Sequence, residues 1–461
     1  MRIVLITSFL VVLAAGATVS GAERTLSLDE CIDLALTTRA SIIMARGAED
    51  LAAADRRAAL GAFLPRVDAS YRYAKSLKRD FEAETDVPTE VDTFWVADTA
   101  GNLLGFPRVR NSEKMNLQLP DQDATDERLT LSATMSLLDV SNFFDLAAAG
   151  AEKARARLDV IASEQDLILS VKVAYYAHLA ALENVEVQQD AVERSREQLN
   201  LIESMFEVGS AAKSDVLKQR VQLGNDRLTH ISARNSVETT RAELAYTIGI
   251  DPNSDVAFET EHASRVYVAD LDEAIAFGLG HQPDLLSARK SRDAAKHSVR
   301  SAWSAYLPTL GGSGNLTWFS GSSGDTVLYD NSQRTLSYGV NVSWNIFDGF
   351  WRERQLSSAK IVRNNTLARL SDQRNSVIVG IKTAYLDIEQ TILQQEVAGE
   401  NVAAADEDLR ITQEKYNLGA ATILDLLTAQ VSLKQAQMTL IRAEFDHNLA
   451  IARLENAMGK M

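Results

Sequence analysis

The chain has 461 residues, of which 46% are hydrophobic and 24% charged, and its formal net charge is −16 at pH 7. This acidic balance argues against nucleic acid as a partner, because nucleic-acid sites are basic. The single cysteine, Cys31, excludes a disulfide framework and any metal site built from several cysteines.

The first 22 residues have the pattern of a secretory signal peptide. Arg2 supplies a positive charge, an apolar run extends from Ile3 to Ala15, and small residues precede the expected cleavage after Ala22. A membrane anchor is the alternative, although the run is short for a spanning helix. We expect no lipid attachment at Cys31. No later stretch reaches the roughly 20 apolar residues of a spanning helix, so a membrane location would require strands.

The rest of the chain contains one layout twice. A helix that opens at Leu28 recurs at Leu271, and the helix-ending Pro65 recurs as Pro308, in both cases 243 residues later. A spacing that is kept from helix to proline indicates internal duplication. The sequence therefore predicts a first structural repeat over residues 23–250 and a second over residues 251–461.

After each of these prolines the hydrophobic period changes from helical to two. Apolar and small polar residues alternate in four segments, at about 66–77, 128–138, 309–320 and 335–347. This alternation is typical of a transmembrane β-barrel wall, and several aromatic residues suit its interfaces with water: Tyr71, Tyr73, Trp318, Tyr338 and Trp344. A half-buried soluble sheet alternates in the same way and is the alternative interpretation.

Four strands cannot close a barrel by themselves. Open strand edges in lipid leave backbone groups unpaired at several kcal/mol each, and the smallest single-chain barrels have about eight strands. The sequence therefore predicts that more than one copy contributes strands, without fixing the number of copies.

The segment between the first two strands, residues 80–127, is long and acidic. Pro88, Pro107 and Pro120 predict that it is irregular, and a long loop is expected on the outer face of a barrel. A solvated surface loop is the plainest interpretation, and nothing else in the sequence supports a role in recognition.

Each second strand leads into a long helical hairpin, predicted over residues 139–249 and 349–459. The outgoing helices run for about 66 residues without proline, which is about 100 Å at 1.5 Å per residue. The hairpins turn at Gly209 and Gly419, which lie 210 residues apart, and an aspartate follows each turn at the same offset, Asp215 and Asp425. Glycine takes a positive φ without a Cβ clash, which is the usual way to end a helix.

This duplicated layout resembles the outer-membrane efflux protein family, the TolC-like exit ducts of Gram-negative bacteria. The resemblance covers nearly the whole mature chain through the marks Leu64-Pro65, Leu307-Pro308, Ile346-Phe347-Asp348-Gly349 and the tip from Tyr416 to Asp425. It implies a mainly α fold with a transmembrane β-barrel portion, built as a homotrimer with four strands from each protomer. It also implies an outer-membrane location in contact with lipid, with the helices in the periplasm. The implied function is a passive gated channel of a tripartite efflux or type I secretion system, whose partners are a periplasmic adaptor and an inner-membrane RND, ABC or MFS transporter.

The same resemblance implies a periplasmic gate at the hairpin tips. Tyr416 and Asp425 match a tyrosine and an aspartate of the family's gate, and Asp215 matches a partner of that network. Ala421 stands at the gate arginine and Thr428 at a second aspartate, so part of the closing network is absent. The residues implied to contact the adaptor are Val208, Gly209, Ser210, Leu418, Gly419 and Ala420.

Asp425 has two interpretations from the residues alone. One carboxylate per protomer would form a ring at the narrow mouth of an oligomer, and such rings favour cations. Alternatively, an acidic residue early in a helix is stabilised by the helix dipole and needs no other role. The resemblance favours the ring.

The sequence carries no enzyme motif. Its six histidines are scattered without a His-Glu-x-x-His pair, and the glycine-rich segment at 311–314 opens a strand rather than a helix. We therefore expect no catalysis, no cofactor and no metal site. The alternative function is a secreted coiled-coil periplasmic adaptor or structural tether with a soluble β-domain, which would be a monomer soluble without detergent.

Overall fold

The computed structural model describes residues 25–78, 81–119, 122–254, 256–260, 270–322 and 334–461. The predicted signal peptide, residues 1–22, lies outside these ranges. The helices of the described ranges are α1 (Leu28–Thr38), α2 (Ala40–Gly61), α3 (Val140–Glu207), α4 (Lys213–Ile248), α5 (Leu271–His281), α6 (Pro283–Ser304), α7 (Trp351–Asn417) and α8 (Ile423–Met458). Their strands are β1 (Thr25–Leu26), β2 (Arg66–Lys78), β3 (Phe81–Ala97), β4 (Leu103–Leu119), β5 (Gln122–Leu138), β6 (Ala257–Phe258), β7 (Thr309–Ser322) and β8 (Arg334–Ser343).

The elements recur at the spacings seen in the sequence. α1, α2 and β2 begin at residues 28, 40 and 66, and α5, α6 and β7 begin 243 residues later, at 271, 283 and 309. α4 spans 213–248 and α8 spans 423–458, an offset of only 210. The fall from 243 to 210 places 33 extra residues in the first repeat between β2 and α4, the stretch that contains β3 and β4.

The long helical hairpins are confirmed. α3 has 68 residues and α7 has 67, so each is about 100 Å long. Both lack proline, which would remove a hydrogen bond and clash with the preceding turn. None of the helices in the described ranges is long and apolar enough to cross a membrane.

The four predicted strands form one antiparallel sheet in the order β2-β5-β7-β8. The side chains predicted for its apolar face are exposed in the single chain: Val67, Tyr71, Tyr338, Val340 and Val342 are each at least 58% exposed. β2 and β8 are the edge strands, and each pairs with only one strand of the described residues.

The fourth strand was predicted to reach residue 347, but β8 ends at Ser343. Ser343 lies opposite Thr309, the first residue of β7, so β8 ends where its partner strand begins. Beyond this point the Arg352 guanidinium donates to the carbonyl of Asn345 at 2.7 Å and to that of Ile346 at 2.9 Å. It also donates to the Asp348 carboxylate at 2.9 Å. These bonds satisfy two backbone acceptors between the end of β8 and the start of α7 at Trp351.

The prediction that residues 80–127 are irregular is wrong, and the chain therefore has more strands than the four predicted. β3 and β4 have 17 residues each and pair antiparallel, with register shifts between Pro88 and Val91. Proline is tolerated at a bulge or on the outer edge of a ribbon, where its missing N–H breaks no ladder bond. Pro88 lies at the bulge and Pro107 lies opposite Thr93, while Pro120 is outside the described residues.

The chain divides into two compact units. The helical unit comprises the described residues of Met1–Asp55 with Ala148–Lys296 and Lys360–Met461, and includes the short parallel pair β1–β6. The strand unit comprises the described residues of Arg56–Ala147 and His297–Ala359 and includes both larger strand pairings. Each unit draws residues from both sequence repeats.

Apolar clusters hold the helical unit together at three levels. In one, Cys31, Ile42 and Leu244 are fully buried with residues of α3. In the second, Ile381 of α7 and Leu454 of α8 are fully buried with residues of α5 and α6. The third lies at the hairpin tips. Burial of such side chains is worth about 1.5–3 kcal/mol each relative to exposure, which is what supports helices of this length.

Candidate functional site at the helical tips

The two long hairpins reverse in turns of the same geometry. Gly209 and Gly419 have φ values of 80° and 75°. In both turns the residue after the glycine, Ser210 or Ala420, donates its N–H to the carbonyl five residues earlier at 2.8 Å. The glycine donates its own N–H three residues back, at 3.0 Å in the first turn and 2.9 Å in the second. These paired bonds form a Schellman motif, which requires the positive φ that glycine adopts without strain.

All six residues expected to contact an adaptor are exposed. Val208 and Leu418 stand at matching positions before the two glycines and are 81% and 84% exposed. Each tip therefore presents an apolar side chain to solvent at this position. Covering such a side chain with another protein is favourable by about 25 cal/mol per Å² of apolar surface.

Directly behind the turns, four helices share one apolar cluster. Tyr416, at the end of α7, is only 6% exposed. It packs with residues of α3, α4 and α8, namely Leu199, Ile202, Val216, Leu223, Ile423 and Leu426. Because α3 and α4 form the first hairpin and α7 and α8 the second, this tip cluster joins the two hairpins of one chain.

The structure places Tyr416 close enough to Asp215 for their electrostatics to interact. Burial, and after it the negative charge of Asp215, raises the pKa of the Tyr416 phenol. Asp215 lies in the first turn of α4 with its side chain 22% exposed, and Lys218 Nζ lies 4.0 Å from its Oδ1. The phenol therefore stays protonated at neutral pH and is available as a hydrogen-bond donor beside a carboxylate.

Asp425 has a local role in α8. Its Oδ2 accepts the Thr422 N–H at 2.8 Å and the Thr422 hydroxyl at 2.7 Å, and its own N–H donates to Thr422 Oγ1 at 3.3 Å. This arrangement is a capping box. The bonds from Thr422 lower the pKa of the Asp425 carboxyl, first through the side chain and then through the backbone. The helix-cap interpretation is therefore satisfied within one chain, and a carboxylate ring would need further copies.

The two positions that lack charged gate residues have ordinary contacts. Ala421 packs partly buried against the tip cluster. Thr428 donates its hydroxyl to the carbonyl of Leu424 in its own helix at 2.8 Å. Neither adds a charge to the tip. In the ranges that the structure describes, no group of three His, Cys, Asp or Glu residues is placed to hold a metal ion.

Sequence reasoning missed a buried ion pair farther along the hairpins. Asp226 of α4 is 3% exposed and accepts from Lys434 Nζ of α8 at 2.8 Å. Ser195 Oγ of α3 donates to it at 2.5 Å, and Gln222 Nε2 donates at 3.1 Å. Gln219 is fully buried and donates to the Ser195 carbonyl at 3.1 Å. We call these five residues the clasp, because they connect the first hairpin to the second.

One half of the clasp has a signal in the sequence. Val216, Gln219, Leu223 and Asp226 follow the three- and four-residue spacing of a buried helix seam. A carboxylate on such a seam requires a partner, since an unpaired buried charge is very costly. Lys434 is 208 residues away, and no local pattern identifies it as that partner.

The sequence profile described as Outer membrane efflux protein matches residues 31–249 and 278–460, which span both repeats. The chain belongs to the outer membrane efflux protein family. This efflux protein is 25% identical over 342 residues to Outer membrane protein TolC of Escherichia coli strain K12, covering 72% of this chain and 69% of that protein. It is 24% identical over 341 residues to Alkaline protease secretion protein AprF of Pseudomonas aeruginosa, covering 72% and 70%.

Solved structures show the same fold. The CmeC outer membrane channel of Campylobacter jejuni matches with a TM-score of 0.73 at 19% identity, covering 94% of this efflux protein and 85% of CmeC. The outer membrane protein VceC of Vibrio cholerae matches with a TM-score of 0.74 at 20% identity, covering 94% and 96%. The fold predicted for the efflux protein, mainly helical with a smaller sheet, is confirmed.

Family membership decides between the two functions considered for the sequence. Both helical hairpins fall within the family match, whereas the adaptor alternative had no such support. The efflux protein is an outer-membrane transport protein with a helical periplasmic part, and it serves as an exit duct for efflux or secretion.

Proposed function

We propose that the chain works as a homotrimer that conducts substrates passively out of the cell. The observation that carries this proposal is the sheet β2-β5-β7-β8, whose two outer edges have no strand partner within the described ranges. Unpaired edges in lipid cost several kcal/mol per backbone group, so other copies must complete the sheet. Three copies of a four-stranded sheet supply twelve strands, enough for a closed barrel whose apolar side chains face lipid.

The periplasmic gate is assigned to Tyr416, Asp215 and Asp425. Tyr416 packs in the tip cluster that joins the two hairpins, and the charge of Asp215 acts on its phenol. Asp425 is exposed on α8, so a threefold assembly would place three of its carboxylates around one axis. The lowered pKa keeps these carboxylates ionised, and a ring of negative charge favours cations.

The tips are the proposed docking sites for a periplasmic adaptor. Val208 and Leu418 offer apolar side chains at the far end of the two hairpins, and the Schellman turns hold them in a fixed conformation. The adaptor would connect the duct to an inner-membrane pump of the RND, ABC or MFS class. No catalytic role is assigned to the chain, because passive conduction needs none.

Planar-bilayer recording of the detergent-purified chain tests the gate. Tyr416→Phe removes the hydroxyl but keeps the ring in the tip cluster, and Asp215→Asn removes the charge. Combining the two should increase conductance, because the hairpins are then held less tightly at the mouth. Tyr385→Phe is the matched control: Tyr385 is a partly buried tyrosine earlier in α7, and its substitution should leave conductance unchanged.

Two results would contradict the proposal in different ways. If the combined variant conducts like the parent chain, the gate assignment is wrong. If the parent chain forms no pores in bilayers, the duct itself is wrong.

A further inference from the structure

β3 and β4 form a two-stranded ribbon that keeps the register of the β2–β5 strand pair. The residue numbers of paired partners add to the same total on both sides of the undescribed positions, as in Lys78↔Gln122 and Phe81↔Leu119. With 17 residues in each strand, the ribbon is about 55 Å long. Its outer edge, β3, follows β2 in the chain, and β2 is an edge strand of the four-stranded sheet.

The far end of the ribbon is apolar on both faces. Trp95 lies over Gly105 on one face, with Gly105's Cβ position only 3.0 Å from the Trp95 ring. On the other face, Phe94 and Phe106 form a cross-strand pair with ring centroids 5.9 Å apart. We call six residues the ribbon tip, all between 45% and 66% exposed: Phe94, Trp95, Val96, Leu103, Leu104 and Phe106.

A hydrogen-bonded turn at Asp98 connects the two strands at the ribbon tip. The Asp98 carboxylate accepts the N–H of Ala100 at 2.9 Å and that of Asn102 at 2.8 Å, and Gly101 takes a φ of 80°. The bonds from Asn102 lower the pKa of Asp98, so the carboxylate is ionised and accepts these bonds at neutral pH. The apolar side chains are therefore presented in a defined arrangement.

A two-stranded ribbon with exposed apolar faces is marginally stable in water, so we expect another surface to bury the apolar side chains of the ribbon tip. A membrane surface would cover one face, whereas both faces are apolar. The ribbon also has seven acidic residues against three basic ones over residues 81–119, which disfavours anionic headgroups. In a cyclic assembly, by contrast, every copy has a neighbour on each side.

We propose that the ribbon tips of neighbouring copies pack face to face around the threefold axis and narrow the outer mouth of the duct. The occupant of each face is thus a second copy of this chain. The inference rests on the proposed homotrimer, because the edge strand β2 that would join copies is the strand from which the ribbon continues. The ribbons then rise at the junctions between copies, where the tips can reach one another.

Cysteine cross-linking tests this arrangement. In a Cys31→Ala background, Leu103→Cys and Leu104→Cys together place one thiol on each face of the tip. Oxidation of assembled protein should then give covalent dimers and trimers on denaturing gels. The matched control is Asn111→Cys with Ser112→Cys, adjacent exposed residues nearer the base of the ribbon, and it should stay monomeric.

The mass of the same sample under native conditions separates two failures. Trimers in detergent with no cross-linked tips would overturn the inference and leave the duct standing. Monomers in detergent would overturn the proposed function and the inference together. In proteoliposomes, quenching of a tip fluorophore by lipid-borne quenchers would assign the tips to the bilayer and also contradict the inference.

A second measurement reads the outer mouth directly. Phe94→Ser with Phe106→Ser removes the aromatic pair but leaves the Asp98 turn intact. This variant should conduct more than the parent chain in planar bilayers, because the narrowed mouth is opened. Equal conductance with trimers present would count against the packing of tips.

Discussion

Replacing Lys434 with methionine should loosen the two hairpins of one chain from each other. Methionine keeps most of the length and packing of the lysine stem but leaves Asp226, which is 3% exposed, without its cation. Removing one partner of a buried ion pair typically costs about 3–5 kcal/mol. Ser195 and Gln222 still donate to Asp226, and the Lys434 side chain is 18% exposed, so we expect a loss near the lower end, about 3 kcal/mol.

A double-mutant cycle measures this coupling. Asp226→Leu and Lys434→Met should each destabilise the helical unit, while the double variant should lie close to the parent chain, because replacing a whole buried pair by apolar groups is often neutral. Denaturant unfolding in detergent gives the free energies, and amide exchange in α4 and α8 locates the loss. The loss of about 3 kcal/mol expected for Lys434→Met alone corresponds to a roughly 100-fold change in the opening equilibrium.

The chain offers a matched control in an exposed ion pair. Arg220 Nη2 of α4 lies 2.7 Å from Glu203 Oε1 of α3, with side chains 62% and 40% exposed. Arg220→Met should cost less than about 1 kcal/mol, because solvent screens exposed pairs. If Lys434→Met costs no more than Arg220→Met, or if the two clasp substitutions add without coupling, the clasp does not hold the hairpins together.

Three further predictions concern single residues. Asp425→Asn keeps an acceptor for Thr422 but removes the charge, so it should reduce cation preference and multivalent-cation block in planar bilayers. Because the pKa of Asp425 lies below its usual 3.8, block of the parent chain should persist as the pH falls to that value. Equal block in both proteins would contradict the carboxylate ring. Gly419→Ala should lower the thermal midpoint at a cost of about 1–2 kcal/mol, since its φ is 75°, whereas Ala420→Gly should change it little; equal midpoints would contradict the turn geometry. Burial raises the pKa of the Cys31 thiol to about 12, so iodoacetamide at pH 8 should label it only after unfolding, and rapid labelling of folded protein would show that the cluster around it is open.

Much of the fold was predictable because its signals are local. Proline-free helical periodicity located α3 and α7 to within a few residues, and period-two alternation located the four strands of the sheet. The glycines at 209 and 419 marked the turns because only positive φ fits there. The resemblance supplied the residues that are proposed for the gate, while the structure showed that Tyr416 is close to Asp215 and that Asp425 caps its own helix with Thr422.

The β3–β4 ribbon escaped prediction for physical reasons. Its prolines suggested irregular structure, and its far end is apolar on both faces, so residues such as Phe94, Trp95 and Val96 do not alternate. Two signals were available. The repeat offset falls from 243 to 210 across this segment, and Gly101 lies in a short polar stretch between two apolar runs, as in a hairpin turn.

The clasp was only half predictable from the sequence, because it joins residues that are far apart in the chain. Asp226 is visible as a charge on a buried seam, but its partner lies on the other hairpin and depends on how α4 packs against α8. Contacts between distant segments are set by tertiary packing, and one sequence carries no local pattern for them.

Native mass spectrometry of the purified chain in detergent tests the central claim most directly. The sheet has two unpaired edges within the described ranges, and the proposed homotrimer pairs them between copies, so it predicts a particle that contains three copies and is stable until the strands unfold. A particle with the mass of a single copy, persisting when detergent is removed, would contradict the account, because its strand edges would then have no neighbour to pair with.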